Sequence, residues 1–214
     1  MGLSVKAREI VAAIDREDFR MGELKKIAKE IKRDHDLALE LWGTGAYGPR
    51  MLATLIFDKK QLTQTVIDDL VADLSDHDDA ERDRLSEWLL ANQLTKDRKT
   101  RELLASWADA PSPTVRRLYW YHEARLRWTG KAPPEDNSAA LLNALEANMA
   151  GEAPEVQWAM NFCAGWIGVH EPGYRERCIA LGERLGLYRD DPVPRNCTPG
   201  YLPEFIRVEV AKRV

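Results

Sequence analysis

The segment TVRRLYWYHEARLRW, from Thr114 to Trp128, combines arginines with aromatic residues, and both types are common in nucleic-acid contacts. Arginine binds phosphate through a fork of N–H groups, while aromatic rings stack on bases or pack on sugars. On a helical wheel, Arg117, Tyr121 and Trp128 fall on one face. The same face is also compatible with a helix packed on two sides, in which Arg117 passes Trp128 to reach solvent. The segment alone leaves both interpretations open.

The rest of this predicted helix divides into a core face and a polar edge. We expect Arg116 and Arg127 to lie on the polar edge, in contact with solvent, beside Glu123. The expected core face contains Val115, Leu118, Tyr119, His122 and Leu126.

A second segment with chemical potential, SDHDDAERD from Ser75 to Asp83, surrounds His77 with acidic residues. A metal site needs several ligands that converge, and this segment has no second histidine and no EF-hand spacing. We therefore predict no metal ion here. The favoured interpretation is a helix N-terminus at which Asp76 or Asp78 caps free N–H groups. One carboxylate of the cluster can still serve catalysis, because neighbouring charges and burial tune its protonation.

Other motifs carry less information. The segment GTGAYG, Gly43–Gly48, has the GxGxxG spacing of dinucleotide sites, but it follows the helical pattern LALELW rather than a strand. We interpret it as a turn between two helices and predict no cofactor. Cys163, Cys178 and Cys197 form no CxxC pair, which predicts reduced thiols and no zinc site.

The composition is that of a globular protein of 214 residues with a formal net charge of −4. No apolar run approaches the roughly 20 residues of a membrane span, so we expect a cytoplasmic protein without a membrane partner. The net charge argues against a uniformly basic nucleic-acid binder, but the charge is unevenly distributed. Residues 64–87 contain nine acids and two bases, whereas residues 95–131 contain nine bases and four acids.

The elements that must position these residues are helical almost throughout. Apolar residues recur with a period of 3.6, strand patterns are nearly absent, and the connections are short. This pattern predicts an all-α fold of stacked antiparallel helical hairpins, an α-solenoid in a single domain. We place the helical domain at 1–187. Residues 188–214 are predicted to form a proline-rich arm and a short terminal element that pack on it. The pattern of FIRVEVAKRV is compatible with a helix or a strand, and we favour a short helix.

Three segments carry a resemblance to a known family: LALELWGTGAYGPRMLATLIFD, PTVRRLYWYHEARLRW and EVQWAMNFCAGWIG. They resemble the DNA alkylation repair family, the AlkD-like DNA glycosylases, which are built from HEAT-like repeats. The likeness extends from about Arg20 to about Leu187. It implies an enzyme that holds duplex DNA in a concave basic groove and cleaves the N-glycosidic bond of cationic 3- and 7-alkylpurines.

The resemblance also implies a set of site residues. It places the family's aspartate at Asp83 and its arginine at Arg117, which we take as the candidate catalytic residues. A cationic alkylated base is a good leaving group, so the carboxylate mainly stabilises the developing positive charge on the sugar and orients water. Asp79 stands where the family has a tryptophan, one turn before Asp83, and this departure leaves open whether the chain is an enzyme.

The remaining candidate residues contact DNA or the lesion. The family's second aromatic position falls on Phe162, one turn after Trp158. The full set of candidate contacts is Asp79, Arg116, Tyr121, Trp128, Trp158 and Phe162.

Two function hypotheses follow. The first is an alkylpurine DNA glycosylase, favoured by Asp83, Arg117 and the basic stretch 95–131. The second is a catalytically silent HEAT-like module that binds DNA or a protein, favoured by Asp79 and the acidic net charge. For either, we expect a monomer with alkylated duplex DNA as its partner, and a protein partner stays possible.

Overall fold

The computed structural model describes residues 2–14, 16, 18–130 and 136–213. Every regular element within these ranges is an α-helix or a short 3-10 helix. The predicted all-α class is therefore confirmed. Lys131, the last residue of the basic stretch, lies outside the described residues. The chain forms two compact units, Met1–Ser106 and Trp107–Val214.

The first unit is built from short α-helices. They are α1 (Val5–Ile14), α2 (Met21–Ile31), α3 (His35–Trp42), α4 (Tyr47–Ile56), α5 (Gln64–Ala72), α6 (Asp79–Asn92) and α7 (Arg98–Leu104). Helices α3 and α4 pack together as a hairpin across residues 43–46, with Gly45 at φ 73°. The GTGAYG segment is thus a helix–helix turn, as predicted.

Short polar side chains define where these helices start. The carboxylate of Asp34 accepts a hydrogen bond from the Leu37 N–H at 3.2 Å, and Asp78 accepts one from the Glu81 N–H at 2.9 Å. Each bond pairs a backbone donor that the first turn would leave unsatisfied. The helices then bury their apolar stripes around Leu41, Met51, Leu52, Ile56, Ile67, Leu85 and Leu89.

A buried arginine ties the α3–α4 hairpin to the next helix. Arg50 on α4 is 3% exposed, and its Nε donates to the Trp42 carbonyl oxygen at 3.0 Å. Its Nη1 donates to the Asp73 carbonyl oxygen at 2.7 Å, and the Trp42 Nε1 donates to the Asp73 carboxylate at 3.1 Å. These bonds satisfy carbonyl groups at two helix C-termini, which otherwise lack partners.

The second unit is organised around its longest helix. Its α-helices are α8 (Pro113–Trp128), α9 (Ser138–Asn148), α10 (Pro154–His170), α11 (Arg175–Leu185) and α12 (Leu202–Ala211). Helix α10 packs against α8, α9, α11 and α12, so it forms the centre of this unit. No described helix is long and apolar enough to span a membrane.

Helix α12 lies on α10 and α11 because glycines leave room for it. A Cβ at Gly165 would come within 2.7 Å of the Phe205 ring, and one at Gly168 within 2.6 Å of Ile206. The irregular segment before α12 is held by Asn161, whose Nδ2 donates to the Gly200 carbonyl oxygen at 2.8 Å. Residues 202–211 are helical, as expected for the chain end. The domain boundary at 187/188 stays a prediction.

Candidate nucleic-acid interface

Helix α8 carries most of the candidate residues, and its start is well defined by the sequence. Ser112 is the N-cap, with its hydroxyl accepting a hydrogen bond from the Val115 N–H at 3.5 Å, and Pro113 is the first helical residue. From there α8 runs for 16 residues and packs against α10. The two helices bring residues near 120 and 160 together.

Arg117 lies beside two aromatic rings that stack on each other, and it is 2% exposed. Its guanidinium carbon is 5.6 Å from the centre of the Tyr121 ring and 5.2 Å from that of Trp158. A planar guanidinium is well suited to this position, because it stacks on ring faces and is more weakly hydrated than an ammonium group. The wheel therefore identified the correct neighbour in Tyr121, but Arg117 does not pass the rings to reach solvent.

The rings around Arg117 belong to a larger array. Trp158, Phe162, Trp166 and His170 follow each other at intervals of four residues along α10, so they lie on one side of the helix. We call the array formed by Tyr121, Trp128, Trp158, Phe162 and Trp166 the aromatic surface. Neighbouring ring centres are 5.2 Å apart for Trp158 and Phe162, and 5.9 Å for Trp128 and Phe162.

Exposure divides the aromatic surface into two parts. Trp128 and Trp158 are 44% and 40% exposed, whereas Tyr121 and Trp166 are buried. Phe162 lies between the exposed tryptophans and contacts both. The surface is therefore anchored in the core of the second unit and open to solvent at its two tryptophans.

Helix α12 supplies two residues that the sequence did not indicate. The Phe205 ring meets Trp166 edge-on at 5.4 Å, and the Arg213 guanidinium lies 5.0 Å from the centre of the Trp166 ring. Only the packing of α12 on Gly165 and Gly168 brings them there. No local pattern in the last segment marks Phe205 or Arg213, because neither has a partner nearby in sequence on this surface.

Three guanidinium groups lie on the rings of this surface. Arg117 contacts Tyr121 and Trp158, Arg213 contacts Trp166, and Arg125 lies 5.9 Å from the centre of the Trp128 ring. Arg213 also donates to the Glu209 carboxylate at 2.7 Å. Arg125 has no ion pair among the residues described. Arginine on aromatic rings is a combination that can bind phosphate and stack on bases at one place.

The prediction that Arg116 lies on a solvated edge of α8 is wrong. Its Nε and Nη2 donate to the two carboxylate oxygens of Glu152 at 2.9 and 2.8 Å. Its Nη1 donates to the Ala110 carbonyl oxygen at 2.7 Å. The hydrogen bond from Arg116 lowers the pKa of Glu152 against the opposing effect of burial. Since its N–H groups serve these bonds, we leave Arg116 out of the interface that we propose below.

The prediction is also wrong for Arg127, which is buried. Its Nε donates to the Glu171 carboxylate at 2.9 Å, and its Nη1 lies 3.3 Å from a carboxylate oxygen of Glu123. Its Nη2 donates to Ser138 Oγ at 2.6 Å and to Asn137 Oδ1 at 2.9 Å. The edge is buried because the start of α9 and the end of α10 pack over it.

Asp83 and Asp79 lie on α6 in the first unit, in different environments. Asp83 is partly buried in the second turn of the helix. The Asp79 side chain is 91% exposed and lies 3.0 Å from the Arg82 guanidinium. Asp78 is the N-cap of α6, which confirms that the acidic segment begins a helix. Within the same acidic segment, the Nδ1 atom of His77 lies 2.7 Å from the Glu81 carboxylate.

The two buried cysteines, Cys163 and Cys178, are not nucleophiles at neutral pH. Cys163, Cys178 and Cys197 are free thiols, in agreement with the prediction. Burial raises the pKa of Cys163 strongly and that of Cys178 to about 12, so both stay protonated at neutral pH. Within the described residues, no group of three or more His, Cys, Asp or Glu side chains is arranged to hold a metal ion.

A family model described as DNA alkylation repair enzyme matches residues 18–170, more than half of the chain. The chain therefore belongs to the DNA alkylation repair enzyme family, as its three segments predicted, and its partner is DNA.

A solved structure has the same fold. It matches with a TM-score of 0.72 and 19% sequence identity over 98% of this chain and 89% of its own. That protein represents a new family related to the HEAT-like repeat DNA glycosylases, with affinity for branched DNA structures. The match confirms the HEAT-like helical fold. No curated protein sequence matches the chain.

Proposed function

We propose that this protein binds duplex DNA through the aromatic surface of its second unit and acts on DNA that carries alkylated purines. The observation that carries the proposal is the position of Arg117. It contacts both Tyr121 and Trp158, at the position where the resemblance puts the family's arginine. A guanidinium fixed by two rings loses little conformational freedom when it binds a phosphate.

The surrounding rings support the same proposal. Trp158 and Phe162 present apolar edges that suit contact with deoxyribose, and their π faces favour a cationic base. The solved structure with the same fold represents proteins with affinity for branched DNA, and we extend affinity for DNA to this surface.

For the chemical step, we propose that Asp83 stabilises the positive charge that develops on the sugar as the N-glycosidic bond breaks. The alkylated purine leaves as a neutral base, and water attacks the anomeric carbon. Asp83 accepts the proton of that water or orients it. Asp79 has no part in this step, since its side chain is exposed and pairs with Arg82.

A second candidate function is a DNA-binding module without catalysis. The observation in its favour is the same Asp79, which replaces a tryptophan wall with an exposed carboxylate. A site without that wall binds DNA through its arginines but positions the sugar poorly for hydrolysis.

The two candidates differ in base release. We expect wild-type protein to release 7-methylguanine and 3-methyladenine from methylated duplex DNA. Asp83→Asn should reduce the single-turnover rate by about 100-fold, the usual effect of removing one electrostatic contact to a transition state. Asp79→Asn is the matched control, because it changes a neighbouring carboxylate on the same helix, and it should leave the rate unchanged.

Each result has one meaning. If Asp83→Asn retains the wild-type rate, Asp83 has no part in the mechanism. If wild-type protein binds the DNA but releases no base from it, the second candidate function is correct.

DNA binding itself is tested by its dependence on salt. The logarithm of the association constant should fall linearly with the logarithm of salt concentration, because phosphate contacts release counterions. Arg117→Met should reduce the magnitude of that slope by about one. Affinity that is independent of salt would remove the electrostatic basis of the proposal. The monomeric state and the cytoplasmic location stay predictions.

A further inference from the structure

Trp128 and Trp158 expose large apolar rings on the aromatic surface. Among the described residues only five large apolar side chains are exposed, and Trp128 and Trp158 are two of them. Both contact Phe162. Exposed tryptophan surface is unfavourable in water, and its concentration around one shared ring is typical of a binding site.

Each exposed ring is held in place by a neighbouring ring. Trp158 stacks on Phe162 with an angle of 20° between ring planes, and Trp128 stacks on Trp166, which is buried, with an angle of 16°. Phe162 and Trp166 are in turn fixed by Phe205 from α12. A ligand that stacks on these tryptophans therefore meets rigid surfaces, so that binding costs little side-chain entropy.

The charges beside the rings identify the ligand class. Arg125 lies on the Trp128 ring without an ion pair among the described residues, and Arg117 lies on the Trp158 ring. Aromatic rings with arginines along a groove or face are the arrangement that binds single-stranded nucleic acid, where each base offers a π face and each linkage a phosphate. In an intact duplex the base faces are covered by their neighbours.

We infer that Trp128 and Trp158 form a stacking platform for unpaired bases next to a duplex, as at a strand branch or an overhang. The inference rests on the proposed DNA-binding function and adds the structural class of DNA. It assigns the exposed tryptophans to bases, whereas the proposed function uses Arg117 and the ring edges for phosphate and sugar.

Three DNA substrates with the same duplex separate base stacking from charge. The first is blunt, the second carries a single-stranded overhang with bases, and the third carries the same overhang with abasic residues. The second and third have equal phosphate charge. We expect the overhang with bases to bind about ten-fold more tightly than the abasic one, the size of effect that one or two stacked bases produce.

Variants then locate the effect. Trp128→Ala and Trp158→Ala should each remove most of the ten-fold preference for the overhang with bases over the abasic overhang, and should weaken binding to the blunt duplex less than binding to the overhang with bases. Trp128→Phe and Trp158→Phe should retain most of it, since phenylalanine still offers a stacking face. Leu39→Ala is the control, because Leu39 is 41% exposed on α3 of the first unit and has no aromatic partner. It should alter neither affinity.

Failure of the inference is distinct from failure of the proposed function. Equal affinity for the two overhangs overturns the platform, while salt-dependent binding of all three substrates upholds duplex binding. Equal losses on blunt and overhang DNA in the alanine variants also overturn it, because the rings then contact the sugar–phosphate backbone. Absence of binding to any substrate overturns both.

Discussion

The two sides of α8 use the same residue type in opposite ways. On one side, Arg116 and Arg127 form ion pairs with glutamates and hydrogen bonds with neighbouring polar groups. On the other, Arg117 and Arg125 lie on aromatic rings. We call these the carboxylate side and the ring side. The carboxylate side fastens α8 to the elements around it, whereas the ring side carries the exposed tryptophans.

This difference shows that the number of arginines on a helix does not indicate how many of them can bind phosphate. A guanidinium whose donors all meet protein acceptors contributes to folding and is not available to a phosphate. A guanidinium that stacks on a ring keeps its N–H groups in its own plane, where a polar group at its edge can meet them. The partner of each arginine, more than its charge, therefore separates structural from binding roles.

The largest expected effect is on the carboxylate side. Arg127→Ala should lower the free energy of unfolding by about 3–5 kcal/mol, because it leaves buried Glu123 without its cation. Urea denaturation of the variant and wild type measures this difference. Arg125→Ala serves as the control on the same helix. A loss below about 1 kcal/mol would contradict the structural role of the Arg127 network.

Arg213 contacts both an aromatic ring, that of Trp166, and a carboxylate, that of Glu209. Its partner Glu209 therefore tests how much a carboxylate contact contributes to stability. Burial alone raises the pKa of Glu209, but hydrogen bonds from Lys212, Thr198 and Arg213 outweigh it and lower the pKa from 4.5 to about 2. A depressed carboxylate pKa stabilises the fold above pH 4.5, and this stabilisation is lost as the pH falls towards 2.

Glu209→Gln should therefore lower the free energy of unfolding by about 3 kcal/mol at pH 7. The difference between variant and wild type should shrink as the pH falls through the acid range. Thermal unfolding measured from pH 7 to pH 2 tests this. A difference that is constant with pH would show that Glu209 acts through packing rather than through its charge.

A smaller effect is expected for Arg116→Ala. Its side chain is 19% exposed, compared with 2% for Arg127, so solvent compensates part of the loss. We expect a decrease of about 1–2 kcal/mol in the free energy of unfolding. A double-mutant cycle with Glu152→Ala measures the coupling of the pair. Absence of coupling would mean that the paired geometry contributes nothing to stability.

The smallest effect on stability is expected on the ring side. Arg125→Ala should change the free energy of unfolding by no more than about 0.5 kcal/mol. It should instead reduce the salt slope of DNA binding by about one, as expected for the loss of one phosphate contact. An unchanged slope would remove Arg125 from the interface and leave Arg117 as the principal cation of the ring side.

Much of the local structure was predictable from neighbouring residues. The N-cap at Asp78 and the turn at GTGAYG follow from short-range chemistry, and both are present. The partners of the α8 arginines were not predictable in this way. Glu152 and Glu171 stand 36 and 44 residues along the chain from Arg116 and Arg127.

The sequence by itself determined the helices, their caps and the family, because these depend on periodicity and on motifs a few residues long. It also brought Arg117 and Tyr121 to one face of α8, since that needs only the helical repeat. The tertiary structure decided which arginines meet carboxylates and which meet rings. That choice depends on how α9, α10 and α12 pack around α8, and so on contacts between residues far apart in sequence.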